Sequence, residues 1–328
     1  MKKILSTLIL NYFRFLARLQ LKKNPRATII GITGSAGKTS TRLAIVHILK
    51  TRGIVKHTTH ANSESGIPLN ILGLNPISYT RLDWLHLIML APIKLLTNWQ
   101  HFAYYVVEMG IDSSSSPKNM TYLLSILRPH VGVVLNASLT HAAGFDHLVK
   151  DTSPARRTKK IIALIAKEKM QLVQTLPKKG VAIINLDQPE FRVERSGVRA
   201  RQITYGKSIK ANLRILSNFR FRYQGVAHKL NLGDIYPEYF AYTFAAAIST
   251  CAGLGIPPSQ SVKALSTYRA PAGRLRIFPG LSGSTIIDSS YNASPASMLE
   301  SLKLLKILAA KNKKIAVIGD MRELGLSE

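Results

Sequence analysis

Short apolar, β-branched runs recur along the chain, each ending in a polar or glycine-rich cluster. They are Thr28–Ile32 before Thr33-Gly34, Tyr104–Val107 before Glu108-Met109-Gly110, and Val131–Leu135 before Asn136. Further on come Val181–Ile184 before Asn185 and Asp187, Thr285–Ile287 before Asp288, and Ile315–Ile318 before Gly319-Asp320. A continuous apolar run of this length reads as a strand buried on both faces, as in a largely parallel sheet. Helical spacing of apolar positions lies between several of them, over Thr39–Lys50, Ala155–Leu176 and Pro295–Ala310. Strands alternating with helices predict an α/β fold. Ligands of such sheets bind beyond the carboxyl ends of the strands, which is where these polar residues fall.

Two further stretches are apolar without reading as strands. In residues 1–26, Ile4, Leu8, Tyr12, Phe15 and Leu19 recur at spacings of three and four, which predicts an amphipathic leader helix. Arg14 and Arg18 interrupt it, and no small-residue cleavage site follows, so a signal peptide is not expected. Residues 82–99 are apolar but carry Asp83, His86, Pro92 and Lys94. That pattern predicts two short helices broken at Pro92 rather than a transmembrane span. Both stretches suit either packing on the protein or peripheral contact with a membrane surface.

Composition narrows the partners. Apolar residues make up 46% of the 328 positions, enough for a packed core and against general disorder. Lys and Arg number 45 against 17 Asp and Glu, a formal charge of +28 that favours anionic partners. No basic motif is interleaved with aromatics, so nucleic acid is not the expected one. A lone cysteine, Cys251, excludes an internal disulfide and fits a cytoplasmic chain.

The segment Thr33-Gly34-Ser35-Ala36-Gly37-Lys38-Thr39-Ser40 joins the first predicted strand to a helix. Its glycines let backbone amides approach a polyphosphate, and the helix N-terminus adds partial positive charge. Lys38 is placed to reach the β- and γ-phosphates, and the Thr39 hydroxyl to ligate Mg²⁺. Ile32 stands where the strict phosphate-loop pattern has glycine, so the loop is a variant.

This loop resembles that of the Mur ligase family, ATP-dependent amide-bond ligases of peptidoglycan precursor synthesis. So do Asn62-Ser-Glu64-Ser-Gly66-Ile-Pro68, Glu108-Met-Gly-Ile-Asp112, Arg128-Pro129 through Asn136 to His141, and Glu168-Lys169. Asn185-Leu-Asp187, Gly273-Arg274, Asp288 through Asn292 to Pro295, and Gly319 to Gly325 extend the likeness over roughly residues 26–328. The order of the motifs is most similar to the branch that adds D-alanyl-D-alanine to UDP-MurNAc-tripeptide. The resemblance implies an ATP-binding central domain over residues 27–270 and the start of a Rossmann-like domain over 271–328. It implies ATP and Mg²⁺ as cofactors, with γ-phosphoryl transfer to a carboxylate preceding attack by the amine. By the same likeness Lys38, Glu108, His141 and Lys169 are catalytic, and Thr39, Glu108, His141 and Lys169 support metal, Lys169 in carbamylated form. Asn185, Arg274, Asp288 and Asn292 join the loop in holding nucleotide, and Asn62, Glu64 and Gly66 face the peptide substrate.

The chain also departs from the family. Residues 1–26 are too few for the usual UDP-binding domain, and the chain ends just after Ile315–Ile318, so a truncated product is expected. Gly233-Asp-Ile235-Tyr-Pro-Glu-Tyr239 lacks the His and Asn that are common near the adenine. Rival readings are the same chemistry on a lipid-linked precursor, as in MurT-type relatives, and a nucleotide-binding module without turnover.

Overall fold

Alternation along the strands divides their side chains between two cores. Ile30, Ile32, Val106, Val131, Val133 and Ile183 enter one; Tyr105, Val107, Val134, Ala182 and Ile184 enter the other. A sheet filled on both faces needs helices on both. The computed structural model describes residues 2–59, 61–140, 142–291, 295–308 and 313–321. In chain order these form α1 (Lys2–Lys22), β1 (Thr28–Thr33), α2 (Lys38–Leu49), β2 (Val55–His57), α3 (Gly66–Leu72) and α4 (Arg81–Thr97). Next come β3 (Tyr104–Glu108), α5 (Met120–Ile126), β4 (Val131–Val134), α6 (Pro154–Gln174), β5 (Val181–Asn185) and α7 (Pro189–Glu194). They are followed by β6 (Arg201–Gly206), β7 (Leu213–Ile215), β8 (Arg220–Tyr223), β9 (Val226–Lys229), α8 (Phe240–Gly253) and α9 (Pro258–Leu265). The last are β10 (Arg276–Pro279), β11 (Thr285–Asp288) and α10 (Pro295–Ile307).

Nine strands make one sheet in the order β2-β3-β1-β4-β5-β6-β7-β8-β9. The pairs from β2 through β7 are parallel, and β8 and β9 add antiparallel. The expected α/β class with a mostly parallel sheet is therefore found. Helices α2 and α8 pack together over one face, and α6 covers the other across β1, β4 and β5. A third core, under α1, joins Phe13 and Leu16 to Leu69 and Leu72 of α3 and to Leu87 and Ala91 of α4.

Four expectations need correction. Residues 81–97 form one helix through Pro92, not two. A proline leaves the carbonyl four residues earlier without its helical partner. Here the Tyr12 hydroxyl of α1 donates to that carbonyl, Ile88 O, at 2.9 Å, so the helix runs on. On α1, the buried residues are Leu10, Phe13, Leu16 and Ala17, whereas Ile4, Leu8 and Phe15 of the predicted apolar face are exposed. The helix is apolar on two sides, and periodicity could not say which side meets the protein. Finally, Ile315–Ile318 is not a buried strand: Ile315 is 68% and Val317 96% exposed, with no ladder partner among the described residues. Among the described residues, no strand lies beside it to complete its apolar pattern. The β11 run does form a strand, but it pairs antiparallel with β10 in a separate two-stranded sheet.

Candidate functional site

The first βα turn, Gly34–Gly37, is held from the next strand over. Asn136, just beyond β4, accepts the Ala36 amide on Oδ1 at 2.8 Å and donates from Nδ2 to Ala36 O at 3.1 Å. Its backbone oxygen accepts the Ser35 amide at 3.1 Å, and Ser35 Oγ accepts the Ser138 amide at 2.9 Å. Gly37, at φ 81°, takes the left-handed turn that opens α2 and would strain any residue with a Cβ. Lys38 Nζ donates to Gly34 O at 2.6 Å, so its ammonium lies against the loop itself. Burial pushes the Lys38 ammonium down from its ordinary pKa, while the nearby Glu108 charge opposes the shift.

Glu108 ends β3 beside this loop, as expected of strands that pair β1 with β3 in register. Thr39 Oγ1 donates to Glu108 Oε2 at 3.1 Å, and Arg42 Nε donates to Glu108 Oε1 at 2.7 Å. The Thr58 hydroxyl accepts the Glu108 amide at 3.0 Å. Arg42 also reaches His57 Nδ1. Burial, and then the Arg42 charge, hold the His57 imidazole below its ordinary pKa, so the neutral ring accepts from the guanidinium. Arg42, His57 and Thr58 were not singled out from the sequence. Arg42 carried a usable signal: it lies four residues after Lys38 and three after Thr39, on the same face of one helix.

Lys169, on α6, is 2% exposed. Burial and the like charge of Lys38 push its ammonium well down, against the opposing charges of Asp112 and Glu168. Lys38 on α2, Asp112 in the loop after β3 and Lys169 on α6 thus lie within electrostatic reach of one another. Glu168 turns the other way: Oε1 accepts the Met120 amide at 2.8 Å at the start of α5, and Oε2 accepts from Gln171 Nε2 at 2.9 Å. His141, named from the sequence, lies outside the described residues, as does Asn292.

The remaining residues sort into three groups. Asn185 donates from Nδ2 to Leu135 O at 2.8 Å and accepts the Asp187 amide at 3.0 Å, which ties β5 to the end of β4. Asp187 accepts from the Lys207 and Ser208 amides and from the Tyr242 hydroxyl. Arg274 follows a turn clasped from the second sheet: the Gly273 amide donates to Asp288 Oδ2 at 2.7 Å, and Gly273 O accepts the Tyr291 amide at 3.1 Å. The Arg274 guanidinium lies 4.1 Å from the centre of the Tyr291 ring, and its charge is felt at Lys38. Asp288 also accepts from Ser290, and these hydrogen bonds hold its carboxyl below the usual range. The third group is the loop before α3: Asn62 O accepts the Gly110 amide at 2.8 Å, two residues after Glu108, and Ser63 Oγ accepts the Gly66 amide. Glu64 lies near Tyr122 of α5.

Among the described residues, no three His, Cys, Asp or Glu side chains group as a metal cluster. Two hard oxygens, Thr39 Oγ1 and a Glu108 carboxylate oxygen, stand together beside the loop. That set suits Mg²⁺, which takes few protein oxygens and completes its shell with water and phosphate.

The chain is similar to known proteins in sequence and in fold. The model of the Mur ligase middle domain matches residues 32–152 and 157–240. The UDP-N-acetylmuramoyl-tripeptide–D-alanyl-D-alanine ligase of Buchnera aphidicola subsp. Baizongia pistaciae is 29% identical over 318 residues, covering 94% of this chain and 60% of its own length. The ligase of the same name from Escherichia coli K12 is 24% identical, covering 91% of this chain and 59% of its own. The chain thus spans about 60% of the length of these relatives. Among solved structures, MurF from Acinetobacter baumannii superposes with a TM-score of 0.75 at 22% identity, over 96% of this chain and 62% of that one. MurF ligase from Thermotoga maritima in complex with ADP gives 0.74 at 23%, over 97% and 65%. Because the two matched segments take in more than half of its residues, the chain belongs to the Mur ligase family.

Proposed function

We propose that this chain is an ATP- and Mg²⁺-dependent ligase that joins D-Ala-D-Ala to UDP-MurNAc-tripeptide in the cytoplasm, for peptidoglycan and hence cell-wall synthesis. The observation that carries the reading is the Thr39–Glu108 contact, 3.1 Å, beside the loop that contains Lys38. Coupling a carboxylate to an amine in water needs activation: γ-phosphoryl transfer gives an acyl phosphate, which the amine then attacks as phosphate leaves. Two anions must meet in that first step, so cations have to line the site. In this reading residues 33–40 cradle the phosphates, and Lys38 leaves Gly34 O to offset their charge. Thr39 and Glu108 hold Mg²⁺, with the Arg42 guanidinium fixing the direction of the Glu108 carboxylate.

Lys169 is the second element of the proposal. Only a neutral amine adds to the carbon of CO₂, forming the N–C bond of a carbamate with loss of a proton. Burial lowers the Lys169 ammonium pKa and so favours that neutral amine, and the product is an anion suited to a second Mg²⁺ together with His141. Arg274, Asp288 and Asn292, from a unit spanning 271–328, complete the nucleotide side of a central domain spanning 27–270. Asn185 shapes its floor, and Asn62, Glu64 and Gly66 meet the peptide.

Phosphate release tests the proposal. Release from ATP should require Mg²⁺, UDP-MurNAc-tripeptide and D-Ala-D-Ala together, with the pentapeptide product seen by mass spectrometry. Nucleotide binding with no stimulation by either substrate would rule out this assignment and favour a binding module.

A further inference from the structure

The third core leaves two apolar stripes outside it. On α4, Leu82, Leu85, Met89, Ile93 and Leu96 are exposed, at spacings of three and four, opposite the buried Leu87 and Ala91. On α1, Ile4, Leu8 and Phe15 are exposed, opposite Phe13, Leu16 and Ala17. Leu82 is 79% and Leu96 73% exposed, far more than chance scattering of single apolar residues requires.

The two stripes share a side. Tyr12 bonds to Ile88, Gln20 to Asn98 and Asn24 to Gln100, so residues advance together and the helices run parallel. Both inner faces meet α3 in one core, and both outer faces therefore look away from it. Trp99, 62% exposed, closes the strip at its end, with Lys23 Nζ 4.2 Å from its ring centre. No described helix is long and apolar enough to cross a membrane.

Charge identifies the occupant. Residues 1–26 contain no Asp or Glu, and among residues 76–101 the single acid is Asp83. Arg18, Lys22 and Arg26 are exposed at one end of the strip, Arg81 and Lys94 along it. The Asp83 carboxylate accepts the amides of Ile77, Ser78 and Tyr79, and so caps the turn before α4. A second copy of the chain would bring the same positive excess to the contact, and the two would repel. A bilayer rich in anionic phospholipid meets it with the opposite sign and takes up the apolar stripes below the headgroups.

We propose that α1 and α4 together form an interfacial docking face for an anionic phospholipid membrane, lying in its surface without spanning it. The inference stands on the exposed stripes and their charge, and is independent of the ligase reading.

Vesicle flotation with the full chain tests it, using phosphatidylcholine alone and phosphatidylcholine with phosphatidylglycerol. The chain should float with the anionic vesicles, weakly with the neutral ones, and less as salt rises. The triple variant Phe15→Glu, Leu85→Glu, Met89→Glu should lose about tenfold or more in partitioning, since apolar burial and charge attraction both fall. All three positions are exposed, so its thermal melt should match the parent, which separates lost docking from lost folding. Equal flotation of parent and variant, or none by the parent, overturns the proposal. So does a concentration-dependent dimer in sedimentation velocity that the same substitutions abolish, since that makes a second copy the occupant.

Discussion

Arg42 Nε donates to Glu108 Oε1 at 2.7 Å, with both side chains buried between α2 and the end of β3. The guanidinium is thereby placed to leave the other carboxylate oxygen free for Thr39. Removing one member of a buried pair leaves the other uncompensated, at a cost of about 3–5 kcal/mol. Arg42→Ala should therefore lower unfolding stability by that order in urea titration, and weaken Mg²⁺-dependent nucleotide binding. Arg42→Ala combined with Glu108→Gln should recover much of the stability and none of the metal dependence. A single variant as stable as the parent would contradict the pair's structural role.

Among the described residues, the Lys38 ammonium bonds to loop carbonyls within its own turn of chain, Gly34 O and Ser35 O. Its loss should disturb folding little and phosphate chemistry strongly. Lys38→Ala is expected to keep the parental melting temperature while phosphate release falls about a hundredfold or more, as for loss of a single charge-stabilising group. Unchanged turnover would exclude Lys38 from the reaction.

The proposed carbamylation of Lys169 has a direct readout. With isotope-labelled bicarbonate, the protein should give a carbamate carbon resonance near neutral pH that is absent in Lys169→Ala. The Lys169→Ala enzyme should regain part of its activity with added short carboxylates, which replace the missing anion. A resonance that persists in the variant would belong to another amine.

Lys56 offers a titration on stability. Burial pushes its ammonium down from 10.5 to about 8. Between those values the unfolded chain holds a proton that the folded one has released, so stability rises with pH across that window. Below about pH 8 both states are protonated and the burial penalty is constant. The stability difference between parent and Lys56→Met, followed by denaturant titration, should therefore shift in the parent's favour from pH 8 to 10.5. A difference flat in pH would mean that the ammonium is not held in this environment.

Gly144 sits where a Cβ would come within 1.8 Å of Asp112 O. Backbone cannot yield that far without moving one of the two loops. Gly144→Ala should displace Asp112 from its place near Lys38 and Lys169, and reduce phosphate release more than it lowers the melting temperature. Activity equal to the parent's would show that the Asp112 loop tolerates the shift.

The α/β class, β1 and the phosphate loop, and the polar residues at the ends of β3, β4 and β5 were legible in the sequence. Each rests on local pattern: apolar runs that only a doubly covered strand satisfies, and glycines where a turn demands them. The partners of those residues were not legible. Glu108 meets Arg42 and Thr39 because β3 lies beside β1, and Asn136 clamps the Ser35–Ala36 backbone because β4 lies on the other side. Asn185 and Asp187 carried the same kind of motif signal as Glu108, yet their polar atoms engage neighbouring strands and loops. Strand order is set by how the whole chain buries its apolar surface, and no window of sequence contains it. The same reason explains α1, where composition made two faces apolar and only packing against α3 and α4 decided which one is buried. It explains Pro92 as well: a local rule predicts a break, and a hydroxyl 76 residues away supplies the missing hydrogen bond.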